Sequence, residues 1–181
     1  MRWCKFIIPL TFLLTACAGN GPQDKSQGLE RFAKSDIDDV IEIHQQAMMA
    51  DLQKLMIKLY KRNPGQRHDR DSRSIKESVA LVFARPASFR YPQWQSIQKP
   101  TDIIRLSLDE RYKEDRVLAF IIGLRRMIMA SYDENTEFFY LTTINQQKLY
   151  NSARNIEIAA WLLANKKDKH EHLLLLSDSL V

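Results

Sequence analysis

The sequence predicts a mainly α-helical fold. We expect one compact helical domain, with a small two-stranded β element as an option, behind a cleaved signal peptide and a flexible tether. Apolar side chains recur at three- and four-residue steps along the stretches 37–59 and 149–163, which is the period of an amphipathic helix. The chain is 45% hydrophobic and has only five glycines and six prolines. The roughly 150 residues after the tether therefore suffice for one domain with one core.

The first 16 residues have the order of an export signal. Arg2 and Lys5 form a basic head, residues 6–14 form an apolar run, and small residues precede Cys17. The apolar run is far shorter than the roughly 20 residues that a permanent transmembrane helix needs. We therefore expect residues 1–16 to be removed as a signal peptide.

The segment Leu14-Thr15-Ala16-Cys17 resembles the lipobox of bacterial lipoproteins. This resemblance implies that Cys17 is lipidated on its sulfur, becomes the mature N-terminus and is acylated again on its amine. With Ala18 next, it also implies the outer membrane, although the inner membrane stays open. The alternative is an ordinary signal cleaved after Ala16, which would leave a free or disulfide-bonded thiol. Cys4, the second cysteine, is lost with the signal, so that thiol would have no intramolecular partner.

Residues 17–30 are expected to form the lipidated cysteine and a flexible tether, because residues 18–28 (AGNGPQDKSQG) are polar and almost without apolar side chains. The body, residues 31–181, would then lie in the periplasm close to the membrane. The chain has 27 Lys and Arg against 22 Asp and Glu, and the signal removes two of the basic residues and no acid. The mature net charge of about +3 is too weak to imply a nucleic-acid partner.

Residues 35–62 predict a long amphipathic helix. Ser35 followed by Asp38 is typical of a helix start, and Asn63-Pro64-Gly65 ends the pattern because proline cannot continue the backbone hydrogen bonding. His44 lies on the apolar face, where we favour a hydrogen-bonded core histidine over a functional one. The predicted face consists of Ile37, Ile41, His44, Met48, Leu52, Leu55 and Leu59.

A polar connector, residues 66–73, separates this helix from a short second one. Ser74 and Glu77 form a predicted capping box for that helix, which should end before Arg85-Pro86. Residues 86–100 then carry three prolines among aromatic side chains, so regular helix is not expected there. The stretch either covers the core or forms one wall of a groove.

The candidate binding surface combines Phe89, Tyr91 and Trp94 of this stretch with Arg70 and Arg73 of the connector. We favour core cover for the aromatic residues, because large apolar side chains usually serve burial. A binding wall would instead leave Trp94 partly exposed, since an aromatic anchor must present its face to a partner.

Residues 117–124 (VLAFIIGL) are apolar on all sides and predict the central core helix, in which Gly123 permits close approach of a neighbour. Residues 101–108 are ambiguous. Residues 137–144 have the composition of a strand, for which 172–176 is a distant partner. Between them, Asn145 should cap a helix that runs to about Lys167 and is buried over a wide arc. The predicted core includes Val117, Phe120, Ile121, Leu124, Ile156, Ala160 and Leu163.

Each of two polar pairs has two interpretations, a local contact or a more specific structural or metal-binding role. Arg154 and Glu157 form either an exposed ion pair or a network with Arg125 or Arg126, and we favour the former because most such pairs are exposed. The histidines His170 and His172 lie in a charged turn or contribute to a zinc site. We favour the turn, because zinc needs further ligands. No sequence motif predicts a cofactor, a metal site or a catalytic residue.

The body also resembles an uncharacterised family of proteobacterial lipoproteins, in LYKRNP (59–64), DRVLAFIIGL (115–124) and LYNSARNIEIAAW (149–161). This resemblance does not indicate what activity the protein has or which of its residues are functional. We expect a non-catalytic envelope lipoprotein with a protein partner at the periplasmic face of the outer membrane. The alternative function is a module that binds a cell-wall glycan or lipid, and an enzyme is the third and least favoured class. A flat apolar patch would favour the first, an exposed aromatic groove the second, and a cleft with perturbed acids or histidines the third.

Overall fold

The computed structural model describes residues 36–139 and 143–177. The described residues confirm the mainly helical fold. The signal peptide, Cys17, the tether and the predicted helix start at Ser35 lie outside them. Within the described ranges the five helices are α1 (Asp36–Arg62), α2 (Ile75–Ala84), α3 (Pro100–Ser107), α4 (Arg116–Ser131) and α5 (Gln146–Asn165), with short 3-10 turns at Pro64–Gln66 and Pro92–Trp94.

Three helices begin at a side chain that accepts a hydrogen bond from a free backbone N–H. The Ser74 hydroxyl accepts from the Glu77 amide while the Glu77 carboxylate accepts from the Ser74 amide, which confirms the capping box of α2. Asn145 accepts from Lys148 and starts α5, as predicted. Asp115 accepts from Leu118 and starts α4. These local signals account for where α2, α4 and α5 begin.

Helix α4 lies at the centre of the fold, as its composition predicts. Its residues are buried except Leu118, Arg126 and Ala130. Gly123 faces α3 so closely that an added Cβ would lie 2.6 Å from Cγ1 of Ile104 and 3.1 Å from the carbonyl oxygen of Pro100. The stretch 101–108, which was ambiguous in the sequence, therefore belongs largely to α3, the helix that packs closely against Gly123.

The core consists of two buried clusters. The larger one joins Leu52, Met56 and Leu59 of α1 to the apolar side of α4 and to Leu163 of α5. The smaller one joins Trp94 to α3 and to the opposite side of α4. Burial on two sides explains why α4 has no polar face.

The predicted core is right for α4 and wrong at one position of α5. Val117, Phe120, Ile121, Leu124 and Leu163 are buried and Ile156 is partly buried, but Ala160 is exposed and Ala159 is buried in its place. Among the helices, α5 packs mainly on α4, which covers one stripe of its surface. Tyr150, Ile158 and Trp161 are consequently exposed, so the prediction of burial over a wide arc is wrong.

Two further sequence predictions need correction. His44 is exposed, whereas the neighbouring Gln45 is buried and donates from Nε2 to the carbonyl oxygen of Asn135 at 2.8 Å. The predicted strand pairing of 137–144 with 172–176 is absent from the described residues, which omit 140–142. An isolated antiparallel bridge joins Lys167 to Leu173 instead, so the chain after α5 folds back onto the segment that follows the helix.

No helix within 36–139 or 143–177 has both the length and the apolar composition that crossing a membrane requires.

Candidate functional site

The aromatic side chains of residues 86–100 pack onto the protein. Trp94 is only 2% exposed and contacts Ile103, Ala119 and Ile122 in the smaller core cluster. The ring of Tyr91 lies 5.5 Å from that of Trp94 and 5.0 Å from that of Phe89. Core cover is therefore the role of Trp94, and its indole has no face free for a partner.

Arg85 covers the outer part of this aromatic cluster. Its guanidinium carbon lies 4.5 Å from the ring centroid of Phe89 and 5.3 Å from that of Tyr91, within the range of cation–π attraction. The half-buried rings of Phe89 and Tyr91 thus already have a cationic partner. They do not form a free aromatic platform on which a sugar could stack.

The structure does not join Arg70 and Arg73 to this cluster in one basic surface. Arg73 lies 3.5 Å from a carboxylate oxygen of Asp69, and Arg70 lies 3.7 Å from one of Asp71. The guanidinium of Arg67 donates to the carbonyl oxygens of both arginines, at 2.6 Å to Arg73 and 3.2 Å to Arg70. The connector is a locally paired turn in which acids balance both predicted cations.

The connector and the aromatic stretch do meet at a polar cleft, but through other residues. This polar cleft has a volume of about 360 Å³. His68 and Asp69 line it on the connector side, and Gln93 and Trp94 line it on the other. Its remaining polar lining is Tyr60, Ser78, Tyr112, Glu114 and Asp115.

A buried hydrogen bond lies at the floor of the polar cleft. The Tyr60 hydroxyl donates to Oδ2 of Asp115 at 2.8 Å, and Oδ1 of Asp115 accepts from the Leu118 amide at 2.8 Å. Burial raises the pKa of Asp115, and the two hydrogen bonds oppose that shift. Burial and the Asp115 charge both raise the pKa of Tyr60. Both carboxylate oxygens of Asp115 thus accept hydrogen bonds from protein groups. Because Tyr60 belongs to α1 and Asp115 caps α4, their hydrogen bond joins the two helices.

Two buried polar atoms next to the cleft lack a regular partner. The Trp94 indole nitrogen and the Tyr112 hydroxyl make no hydrogen bond of normal geometry. Burial raises the pKa of Tyr112, and the adjacent indole N–H lowers it. A buried polar group without a hydrogen-bond partner is destabilising, so both groups reduce the stability of this part of the fold.

A larger groove opens beside the start of the aromatic stretch. It has a volume of about 690 Å³ and lies between α1, the end of α2, residues 85–88 and α4. Residues 86–88 thus form one wall of a groove, but none of Phe89, Tyr91 and Trp94 lines it. Its apolar walls include Met49, Phe83 and Met129, with glutamines of α1 along one side.

Arg125 of α4 gives this groove a buried positive charge. Its side chain is 8% exposed, and its two terminal nitrogens donate to the carbonyl oxygens of Val82 at 3.1 Å and Arg85 at 2.7 Å. These carbonyls lie at the C-terminal end of α2, where a cation is stabilised. Nε of Arg125 is buried without a partner, and burial lowers the pKa of the guanidinium. In the described part of the chain, no carboxylate pairs with it.

Glu134 is the acidic residue in the groove lining, and it belongs to a separate cluster of charges. Burial raises its pKa, while Arg126 and Arg90 oppose that shift. Arg85 and Arg125 therefore leave the groove with an excess of positive charge between apolar walls. Such a site can accept an anionic group that has apolar neighbours.

The two polar pairs near the C-terminus make local contacts within the chain. Arg154 and Glu157 form an exposed ion pair at 2.5 Å, separate from Arg125. The backbone amides of His170 and His172 both donate to Oδ1 of Asp168, at 2.8 and 3.0 Å, and form a turn. Across the described ranges, no three His, Cys, Asp or Glu side chains come together as a metal site.

Comparison with known proteins found no matching family model, no matching curated protein and no matching solved structure.

Proposed function

We propose that this chain is a lipid-anchored protein of the bacterial cell envelope that holds or assists a protein partner at the periplasmic face of the outer membrane. The observation that carries this proposal is the motif Leu14-Thr15-Ala16-Cys17 behind a basic head and an apolar run. Several acyl chains on Cys17 would anchor the protein stably, since each buried methylene contributes about 0.8 kcal/mol. In this proposal the protein binds its partner and does not catalyse a reaction.

The groove supports the partner-binding part of the proposal. Its volume of about 690 Å³ falls within the range of about 300 to 1,000 Å³ that is usual for binding pockets. The occupant that fits is a partner segment with an acidic side chain between apolar ones. The carboxylate would compensate the buried charge of Arg125, and the apolar side chains would cover Met49, Phe83 and Met129. A glycan finds no free aromatic platform in residues 85–100, because Trp94 is buried and Arg85 covers Phe89 and Tyr91.

The lipid anchor is tested by labelling cells with palmitate and separating their membranes. Cys17→Ser should lose the label and its association with the outer membrane, while Cys4→Ser should keep both because residue 4 is removed with the signal. Recovery of labelled Cys17→Ser protein in the outer membrane would overturn the lipoprotein assignment.

The groove is tested by crosslinking in cells followed by purification of the protein. Ala50→Glu adds bulk and a negative charge at the edge of the groove and should abolish the crosslinked complex, because it blocks the site and repels an acidic segment. Ala47→Glu makes the same change at an exposed position of α1 outside the groove lining, and it should leave the complex intact. Equal crosslinking in both variants would place the partner elsewhere.

A further inference from the structure

Helix α5 exposes a stripe that combines two large aromatic side chains with two opposite charges. Tyr150 is 67% exposed and Trp161 is 64% exposed. Between them lie Arg154 and Glu157, whose side chains are each 65% exposed. The four residues are spaced four, three and four apart, so they share one face of the helix.

This stripe lies opposite the side of α5 that packs on α4. The buried residues of the helix are Ser152, Ala159 and Leu163, and a helical period of 3.6 residues places them roughly half a turn away from the stripe. Exposed Tyr and Trp side chains are enriched at interfaces because they bury a large area with little loss of conformational freedom. The stripe is thus a separate surface from the groove.

The order of residues along the stripe is symmetric. Tyr150 and Trp161 lie equally far from the midpoint of positions 155 and 156, and so do Arg154 and Glu157. In an antiparallel helix pair with a two-fold axis, residues at equal distances on either side of the axis face each other. A two-fold pairing at this midpoint would set Tyr150 against Trp161 of the second copy and Arg154 against Glu157 of the second copy, each twice.

We infer that α5 is a self-association surface and that its partner is a second copy of this chain in antiparallel orientation. The order of the charges favours a second copy as the partner, because in this orientation each Arg154 faces the Glu157 of the other copy. An unrelated partner would not require the stripe to be symmetric. The inference does not depend on the lipid anchor or on the groove.

The contact is small and should give a weak dimer. Exposed ion pairs contribute little individually, and an interface of one helix from each subunit lies at the low end of stable interfaces. The aromatic pairs at both ends would supply most of the attraction. The dimer should therefore depend on protein concentration, with the charges acting mainly on orientation and specificity.

Charge reversal tests the pairing. Arg154→Glu or Glu157→Arg alone creates two like-charge contacts across the axis, whereas the double variant R154E/E157R restores both attractive contacts. We expect each single variant of the full chain in detergent to raise the dimer Kd about three- to tenfold, and the double variant to return it towards wild type. Lys54→Glu is the matched control, because Lys54 and Asp51 form an exposed i,i+3 ion pair on α1 at 3.0 Å. It should leave the Kd unchanged.

Cysteine pairs test the orientation. When Arg154→Cys and Glu157→Cys chains carrying different tags are mixed and oxidised, disulfides between positions 154 and 157 should exceed those between two copies of position 154. Crosslinked peptides identified by mass spectrometry distinguish the two. A chain that is monomeric at all concentrations, a dimer insensitive to R154E, or a predominance of 154–154 disulfides would each overturn the inference.

Discussion

The hydroxyl of Tyr60 donates a 2.8 Å hydrogen bond to Oδ2 of Asp115 and so connects α1 to the residue that caps α4. The same carboxylate accepts from the Leu118 amide through its other oxygen. One side chain therefore both starts the central helix and holds the longest helix against it. Both partners are buried, and a buried polar group that loses its partner costs more than an exposed one.

Removing the Tyr60 hydroxyl should measurably destabilise the fold. Tyr60→Phe keeps the ring but deprives Asp115 of one donor, so we expect the free energy of unfolding to fall by about 1 to 3 kcal/mol. Chemical unfolding of the purified protein measures this change. Asp51→Ala, which removes an exposed polar group from α1, should alter stability by less than about 0.5 kcal/mol. Equal effects of the two variants would contradict a structural role for the Tyr60 hydroxyl.

Asp115 should make the stability depend on pH in a defined direction. Burial raises its pKa in the folded protein, so the folded state retains a proton that the unfolded state loses at about pH 4. The free energy of unfolding should therefore fall as the pH rises from about 4 through the raised pKa. Asp115→Asn should flatten this part of the profile.

Melting temperatures measured across this pH range provide the check on Asp115. Asp51→Asn removes an exposed carboxylate from α1 and serves as the control for loss of one negative charge. It should keep the wild-type slope. A profile for Asp115→Asn that parallels the wild type would show that Asp115 does not titrate differently on folding.

Gly123 should not tolerate a side chain. An added Cβ would lie 2.6 Å from Cγ1 of Ile104 and 3.0 Å from its backbone nitrogen, so Gly123→Leu should destabilise the protein by about 1 to 3 kcal/mol through overpacking. At Gly65, by contrast, an added Cβ would meet no atom within 4 Å. Gly65→Leu should thus leave the melting temperature nearly unchanged. Similar melting temperatures for the two variants would argue against close packing of α3 on α4.

The two tryptophans Trp94 and Trp161 should respond oppositely to truncation. Trp94→Ala removes a buried side chain from the smaller core cluster and should cost about 3 to 5 kcal/mol. Trp161→Ala should change stability little and weaken self-association instead, because its ring is exposed on α5. Thermal melting and sedimentation on both variants separate the roles. A stable Trp94→Ala protein would be inconsistent with the core position of Trp94.

Much of the helical fold could be predicted from the sequence because its signals are local. The capping side chains Ser74 and Asn145 act on backbone groups three residues away, and the proline at position 64 ends α1 by the geometry of its own ring. The apolar segment 117–124 predicted a buried helix, and it lies within α4. The motif at Cys17 is likewise a property of the linear sequence, and the lipidation it implies stays a prediction.

Helix α5 shows where local signals end. Apolar and small side chains support a seam through Ala153 and Ala160 as well as one through Ser152 and Ala159, since both follow three- and four-residue steps. Packing against α4 buried the second seam. Burial of the seam through Ser152 and Ala159 left Tyr150 and Trp161 exposed. The sequence alone therefore could not show that the symmetric stripe lies on the surface.

The candidate site depended on the tertiary structure even more. The sequence favoured core cover for Trp94 and kept a binding wall as the alternative, and its burial depends on Ile103 and Ala119, which belong to two later helices. The sequence suggested Arg125 only as an alternative partner for Arg154 and Glu157, but its partners are the carbonyl oxygens of Val82 and Arg85, about 40 residues earlier. The starts of α2 and α5 and the end of α1 follow from interactions within a few residues, and they could be predicted from the sequence. Which faces are buried, and where a charge lacks a partner, follow from contacts between distant segments, and only the packing of the helices decided those.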